Sequence, residues 1–380
     1  MPLSWIEVDL GSLRHNYDQV RRRLKPSTHI LGVVKSDAYG HGMIPVALEL
    51  EKCGIDYFGV SKFREAEKLR AAGIKVPILL LLGIDPEEME EAIRLEVRPN
   101  LYRLDQARQL SRAALRLGLH AFFHLKVDTG MGRLGVPWDE ADGFLDELLL
   151  LPGLKLEGVI SHFAAADEVD KAYSQIQTDR FQQVLRLLTR RGCHVPYAHI
   201  SNSAGVLDLP GAHFQLVRPG IMLYGSSPSS EILEPADLRP VMAFKSKILQ
   251  IKDVAPGTSI GYGRTYVTER RTRVATLPIG YDDGYPRLLS NRGHVLVRGK
   301  RAPVVGRISM NMTTVDVTEI PEIQEDDEVV ILGRQGSEQI RAEEIAARSG
   351  TISYEIYCHL GHHEFKVFLN ALDSARVSDF

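Results

Sequence analysis

The sequence predicts an α/β chain: an N-terminal (β/α)8 barrel of the TIM type, residues 1–236, followed by a mainly β domain, residues 237–380. Three observations predict it. Short apolar runs recur through the first part of the chain, amphipathic stretches separate them, and the texture changes after Pro228.

The runs read as strands are His29–Lys35, Tyr57–Val60, Ile78–Gly83, Val97–Leu101, Phe122–Asp128, Leu156–Phe163, Tyr197–Ser203 and Gln215–Gly220. Between them lie helical patterns. Arg64–Ala72 keeps its apolar positions on one face, and Thr178–Arg191 ends in Gly192. Eight strands with intervening helices are what a (β/α)8 barrel requires. A doubly wound open sheet alternates in the same way. It would usually carry a glycine-rich phosphate loop after its first strand, and G-x-G-x-x-G is missing there.

Ser226-Ser227-Pro228-Ser229-Ser230, continuing through Pro235 and Pro240, reads as a linker. Beyond it come short β-type runs at Ala243–Ile251, Arg273–Pro278, His294–Val297, Arg301–Val305, Thr314–Val317 and Glu328–Leu332. Gly and Pro separate them, and helical periodicity stays weak until Ala342–Arg348.

Hydrophobic content of 44% and charged content of 25% are ordinary for a globular protein. With 46 basic and 49 acidic side chains, the formal net charge is -3. That balance points away from nucleic acid and anionic membranes and toward a small-molecule partner. The first residues, Met1-Pro2-Leu3-Ser4-Trp5, lack the basic start and apolar run of a signal peptide. Runs such as Val76 to Leu82 are too short to span a bilayer. Cys53, Cys193 and Cys358 show neither a disulfide framework nor zinc spacing, so a cytoplasmic location is expected. His359, His362 and His363 lack clear acidic or cysteine partners, and surface histidines rather than a metal site are expected there.

In a barrel, chemistry is built at the C-terminal ends of several strands at once. Lys35 ends the first run, Asp128 the fifth and His162 the sixth; Asn202 and Ser203 end the seventh, and Arg218 the eighth. Any one of these has an ordinary explanation, as a solvated lysine or a satisfied core histidine. Five strand ends supplied this way are hard to ascribe to chance. Lys35 follows Ile30-Leu31-Gly32-Val33-Val34. Desolvation there favours the neutral amine, which adds to an aldehyde, and the usual protein-borne aldehyde is pyridoxal 5'-phosphate. A phosphate would suit the hydroxyl-rich turn Ser201-Asn202-Ser203-Ala204-Gly205 and the glycine turn Arg218-Pro219-Gly220-Ile221. Tyr39, one helical turn beyond Lys35, could add a phenol. Ordinary loop and capping chemistry accounts for these segments equally well.

Val33-Val34-Lys35-Ser36-Asp37-Ala38-Tyr39-Gly40-His41-Gly42 closely resembles the cofactor-lysine motif of the alanine racemase family. The resemblance covers essentially the whole chain in order. Lys126-Val127-Asp128-Thr129-Gly130-Met131-Gly132-Arg133-Leu134-Gly135 resembles the family's arginine motif. Gly158 to Ala164 is similar to its histidine motif, His199 to Ser203 to its phosphate turn, and Val217 to Ile221 to the segment meeting the pyridine ring. Gly261-Tyr262-Gly263 resembles the catalytic tyrosine site. Gly280 to Arg287 and Gly306 to Asn311 resemble the segments that admit substrate.

The resemblance implies a homodimeric enzyme interconverting L-alanine and D-alanine, and so supplying D-alanine for peptidoglycan. Lys35 would carry the cofactor as a Schiff base and act as one base; Tyr262 of the partner subunit would act as the other. An ordinary phenol, with a pKa of about 10, is a poor base at neutral pH. The implied remedy is a hydrogen-bond chain Tyr262–His162–Arg218 ending at the pyridine nitrogen. Arg133 would meet the cofactor's phenolic oxygen and the substrate carboxylate, Met310 would offer that carboxylate its backbone N–H, and Tyr281 would line the access path. Tyr39, Asn202, Ser203, Gly220, Ile221 and Tyr354 would hold the cofactor, and Lys126 matches a lysine that some members carry as a carbamate. An ordinary buried lysine paired with Asp128 is the alternative.

Departures from the pattern leave the substrate range open. Asn311 stands where many members have an aspartate, and Ser309 where many have a cysteine. The access path is expected to be less acidic, so serine or other small amino acids stay in play. A broader racemase, or a decarboxylase of the same fold, is the second reading; the latter should lack Gly261-Tyr262-Gly263. A non-catalytic cofactor carrier is the third, and the second domain argues against it. The ending Gly361-His362-His363-Glu364-Phe365 departs from the family's usual C-terminus.

Overall fold

Apolar runs too short to bury themselves in one layer pair side by side as parallel strands. In the computed structural model, which describes residues 2–372, they run Leu216–Val217, His29–Val33, Tyr57–Val60, Ile78–Leu80, Val97–Leu101, Ala121–Asp128, Leu154–Ile160 and Tyr197–His199, each bonded to the next. The Gln215 N–H bonds to the Ala198 carbonyl at 3.2 Å and the Arg218 N–H to that of Ser201 at 2.9 Å, across the remaining seam. The result is a nearly closed eight-stranded parallel barrel, with every predicted run in it. Helices cover it with their apolar stripes: Phe63–Ala71 buries Phe63, Ala66 and Leu69, and Ala172–Arg190 buries Phe181, Val184 and Leu188.

The chain divides into two compact units. The barrel unit comprises Arg14–Ala38 and Met43–Leu238; the other comprises the described residues of Met1–Leu13, Tyr39–Gly42 and Arg239–Phe380. Ser4–Asp9 lies within residues 1–236, expected as barrel, but is a strand of the second unit. It pairs antiparallel with Met242–Lys247, Ile6 facing Phe244, and parallel with Lys366–Leu369. The second unit's main sheet runs Lys300–Pro303, His294–Val297, Glu328–Gln335, Met242–Lys247, Ser4–Asp9, Lys366–Leu369. Gln250–Val254, Thr272–Leu277 and Thr313–Asp316 form a separate three-stranded sheet. The run expected as one strand, Ala243–Ile251, is therefore two strands in two sheets. Ser259–Ile260 and Tyr266–Val267 make a small hairpin. No helix among the described residues is long and apolar enough to cross a membrane.

Candidate functional site: the polar end of the barrel

Lys35 leaves the first barrel strand directly into a turn of the wrong hand. Ser36, Asp37, Ala38 and Tyr39 have φ of 53°, 53°, 54° and 54°, and the first three have ψ between 45° and 53°. The expected helical turn is left-handed, a conformation costing L-residues about 1–2 kcal/mol each. Neighbouring groups hold it. Glu65 Oε1 accepts the Ser36 N–H at 2.7 Å, while its Oε2 accepts the N–H groups of Ser61 and Lys62 at 2.7 and 3.0 Å. The Asp37 carboxylate accepts the Met43 N–H at 2.7 Å, and the Ala38 N–H bonds to the Val34 carbonyl at 2.9 Å.

Around the same strand ends lies a dense set of cations. Arg218 is buried, and its NH2 donates to His162 Nδ1 at 3.0 Å and to the Ser161 and Ile200 carbonyls at 2.7 and 3.1 Å. Its NH1 donates to His199 Nδ1 at 3.1 Å. Burial, followed by the charge of Arg133, pushes Arg218 down to about 9, so it stays protonated at neutral pH. His162 is held neutral, well below the usual histidine range, by burial and then by Arg218, Lys126, Arg133 and Lys35. Four cations bear on one imidazole. Lys126 is buried and pushed well below the lysine range by burial, with Arg218 and Arg133 adding to it. Asp128 does not form an ion pair with it: its carboxylate accepts the N–H groups of Gly130 and Met131, both at 2.8 Å, and of Gly132 at 2.9 Å. The alternative pairing of Lys126 with Asp128 is not made among the described residues, because that carboxylate is bonded within the turn leading to exposed Arg133.

Asn202 opens a short helix and accepts the Gly205 N–H at 3.0 Å. Ser203 is buried, and its Oγ accepts the Gly220 N–H at 2.9 Å. Gly220 is thus tied to the serine, which keeps its own O–H to donate. Ile221 begins the helical turn that follows.

The second unit carries its sequence-selected residues on turns. Tyr262 sits at the tip of the hairpin and is 72% exposed. Gly261 and Gly263 flank it at φ of 71° and 69°, a region other residues enter at a cost, which stands the phenol out from the chain. Tyr281, Met310 and Asn311 are exposed on two loops joined by backbone bonds: the Tyr281 N–H to the Ser309 carbonyl at 3.2 Å and the Asp282 N–H to that of Met310 at 3.0 Å. Asn311 Nδ2 donates to Asp282 Oδ2 at 3.3 Å. A carboxylate therefore remains at this position despite the asparagine. Tyr39 and Tyr354 come together, ring centroids 6.0 Å apart, and burial keeps the Tyr39 phenol protonated by raising its pKa.

A phosphate-bearing, aldehyde-bearing anion needs an amine, several cations and hydroxyl donors. Lys35, the cations around His162, and Ser203 supply that set. The residues present fit the group that the lysine motif implies.

The comparisons with known proteins agree along the whole chain. Residues 8–228 match the family described as alanine racemase, N-terminal domain, and residues 241–368 match alanine racemase, C-terminal domain. The chain belongs to the alanine racemase family. It is 63% identical to the alanine racemase of Syntrophobacter fumaroxidans over 98% of this chain and 99% of that one. It is 44% identical to that of Halothermothrix orenii over 97% of each. Among solved structures, the alanine racemase of Clostridium difficile 630 superposes with a TM-score of 0.93 at 37% identity, covering 98% of this chain and 97% of that chain. The Bacillus anthracis family member, solved with bound L-Ala-P, gives 0.90 at 36% identity, covering 97% and 96%.

Sequence reading assigned no role to three residues linked to this set: His124, Glu157 and His199, the last quoted only as the start of the phosphate turn. His124 Nδ1 lies 2.8 Å from His199 Nε2, and Glu157 Oε2 lies 3.4 Å from His124 Nε2. The available signal was a histidine in the middle of an apolar strand, followed a strand later by Glu157-Gly158.

Proposed function

We propose that this chain interconverts L-alanine and D-alanine with pyridoxal 5'-phosphate as cofactor, as a homodimer whose active sites are shared between subunits. The observation that carries the reading is the Arg218–His162 pair, 3.0 Å apart, with Arg218 buried and the charges of Lys35, Lys126 and Arg133 bearing on the imidazole. When bound, the cofactor supplies an electron sink that makes an amino-acid Cα proton removable.

Lys35 holds the cofactor and exchanges the Cα proton on one face. Tyr262, standing out on its hairpin, exchanges it on the opposite face in the partner subunit's site. Because Arg218 can only donate, His162 Nδ1 accepts from it, and the hydrogen of this neutral ring resides on Nε2. From there it steadies the Tyr262 oxygen as that oxygen gives up its proton. With the cofactor bound, Arg218 would serve as the donor toward its pyridine nitrogen, which would keep that nitrogen without a proton and temper the electron sink. Ser203, Asn202, Gly220, Ile221, Tyr39 and Tyr354 hold the phosphate. Arg133 and the Met310 N–H hold the substrate carboxylate, and Tyr281 and Asn311 line the access path. Lys126, whose burial beside Arg218 and Arg133 favours the neutral amine, forms an N–C bond to carbon dioxide, releases one proton to solvent, and as a carbamate gives Arg133 an anion. Carbon-13-labelled bicarbonate should produce one carbamate signal, lost in Lys126→Ala.

D-Alanine made this way serves peptidoglycan synthesis, and the work is done in the cytoplasm. Borohydride reduction of the yellow protein should fix the cofactor on Lys35. Tyr262→Phe should retain the cofactor and lose nearly all conversion of L-alanine. Full activity in that variant would sink the two-base assignment. A panel of L-amino acids, serine included, assayed for D-product sets the substrate range that Asn311 and Ser309 leave open.

A further inference from the structure

Arginine donates through every nitrogen and accepts through none. Its bond to His199 Nδ1, 3.1 Å, therefore strips that nitrogen of hydrogen and puts the hydrogen of the neutral ring on Nε2. That nitrogen lies 2.8 Å from His124 Nδ1, which must accept. The His124 hydrogen then sits on Nε2, facing Glu157 Oε2 at 3.4 Å. Glu157 also accepts from the Tyr57 hydroxyl at 2.6 Å and from Arg98 Nε at 3.2 Å. A donor-only group at one end and an acceptor-only group at the other set every proton between them.

Two irregularities of the chain build this run. Phe123 pairs with Leu156 while His124 pairs with Gly158, so Glu157 is an inserted residue whose side chain is re-aimed. A Cβ on Gly158 would lie 2.5 Å from His124 Nδ1, so only glycine leaves room for the ring. From Arg218 to His124 the run is buried: His124 and His199 are 0% exposed and Arg218 4%. Burial holds both imidazoles below the usual range; Arg218 adds to this, and for His124 Glu157 opposes it.

Among the described residues Arg218 has only neutral direct acceptors, two imidazole nitrogens and two carbonyls. Its neighbour Arg133 is a cation, and the carbamate proposed on Lys126 would answer Arg133 rather than this guanidinium. A buried guanidinium in such company needs an anion somewhere. We propose that Glu157 is the counter-ion of Arg218, acting through His124 and His199, and that this run fixes the orientation of the guanidinium. All three are positioning residues; none is placed against substrate. The consequence for turnover rests on the reading of Arg218 given above, whereas the proton arrangement does not.

Neutron diffraction from deuterated full-length protein reads the protons directly. Deuterium is expected on Nε2 alone of both His199 and His124; deuterium on Nδ1 of either ring overturns the proposal. Glu157→Gln keeps an acceptor of the same shape and removes the charge. With wild-type circular dichroism and elution volume as the control for folding, kcat should fall about tenfold with KM unchanged, as for loss of one charge-assisted hydrogen bond. The alkaline limb of kcat should move to lower pH, because a guanidinium without its anion gives up its proton more readily. Wild-type kcat and an unmoved limb in that variant refute the counter-ion role. If it fails to fold, the neutron map of the unaltered chain still decides. Absent racemisation in the wild type, with the forecast deuterium positions, would fail the functional reading and leave the relay standing.

Discussion

His162 and His199 are neutral inside the barrel because burial and nearby cations both oppose a second proton on either ring. Their folded pKa lies below the unfolded one, so acid favours the unfolded chain, which takes up protons that the folded chain refuses. Stability should therefore fall as pH drops below about 6.5, by about 3 kcal/mol per pH unit for the two rings together. Urea unfolding at pH 7 and pH 5.5 measures this, and an unchanged midpoint would contradict it. Glu157 acts further down the scale. Burial raises its pKa, but the hydrogen bonds from His124 and Tyr57, with Arg98 nearby, outweigh burial and hold it at about 2. Its contribution, about 3 kcal/mol, is complete above the unfolded value near 4.5 and is lost as pH falls through 2. The acid sensitivity of wild type minus that of Glu157→Gln isolates it. At this scale the sequence showed what stands at strand ends, His162 and Arg218 among them. It hid His124 and Glu157, whose partners are set by a bulge that apolar pattern does not mark.

Among the groups that hold the left-handed turn after Lys35 is the Glu65 carboxylate, which also caps the helix Phe63–Ala71. Glu65→Ala leaves three backbone N–H groups unsatisfied. It should cost about 2 kcal/mol of stability and speed hydrogen exchange at Ser36 more than at residues within that helix. Equal exchange at Ser36 in the two proteins would detach the turn from Glu65. The handedness itself was not legible, since Ser36-Asp37-Ala38-Tyr39 carries no glycine to announce positive φ. Barrel strands were legible because each is a contiguous apolar run between breakers. Ser4–Asp9 was not, because its partner strands begin at Met242 and Lys366, far along the chain.

Two compact units, and a tyrosine 72% exposed on one of them, make the proposed enzyme a matter of assembly. Mixing Lys35→Ala with Tyr262→Phe after unfolding tests this. If sites are shared across a two-fold axis, each mixed dimer contains one site with both wild-type groups, and about a quarter of wild-type activity should return. No recovery, with mixed dimers present, would place both groups in one subunit. The change of texture at Ser226–Pro240 announced a second unit. Local pattern could not assign the first residues to it, because that assignment is made by strand pairing.

Gly158 gives this architecture a particular fragility. A single methyl group there carries no charge and no hydrogen-bonding capacity, yet it would displace His124, then His199, then the guanidinium at the opposite end of the run. The barrel wall at that point transduces bulk into electrostatics: a change in volume on one strand would be felt as a misplaced positive charge two strands away.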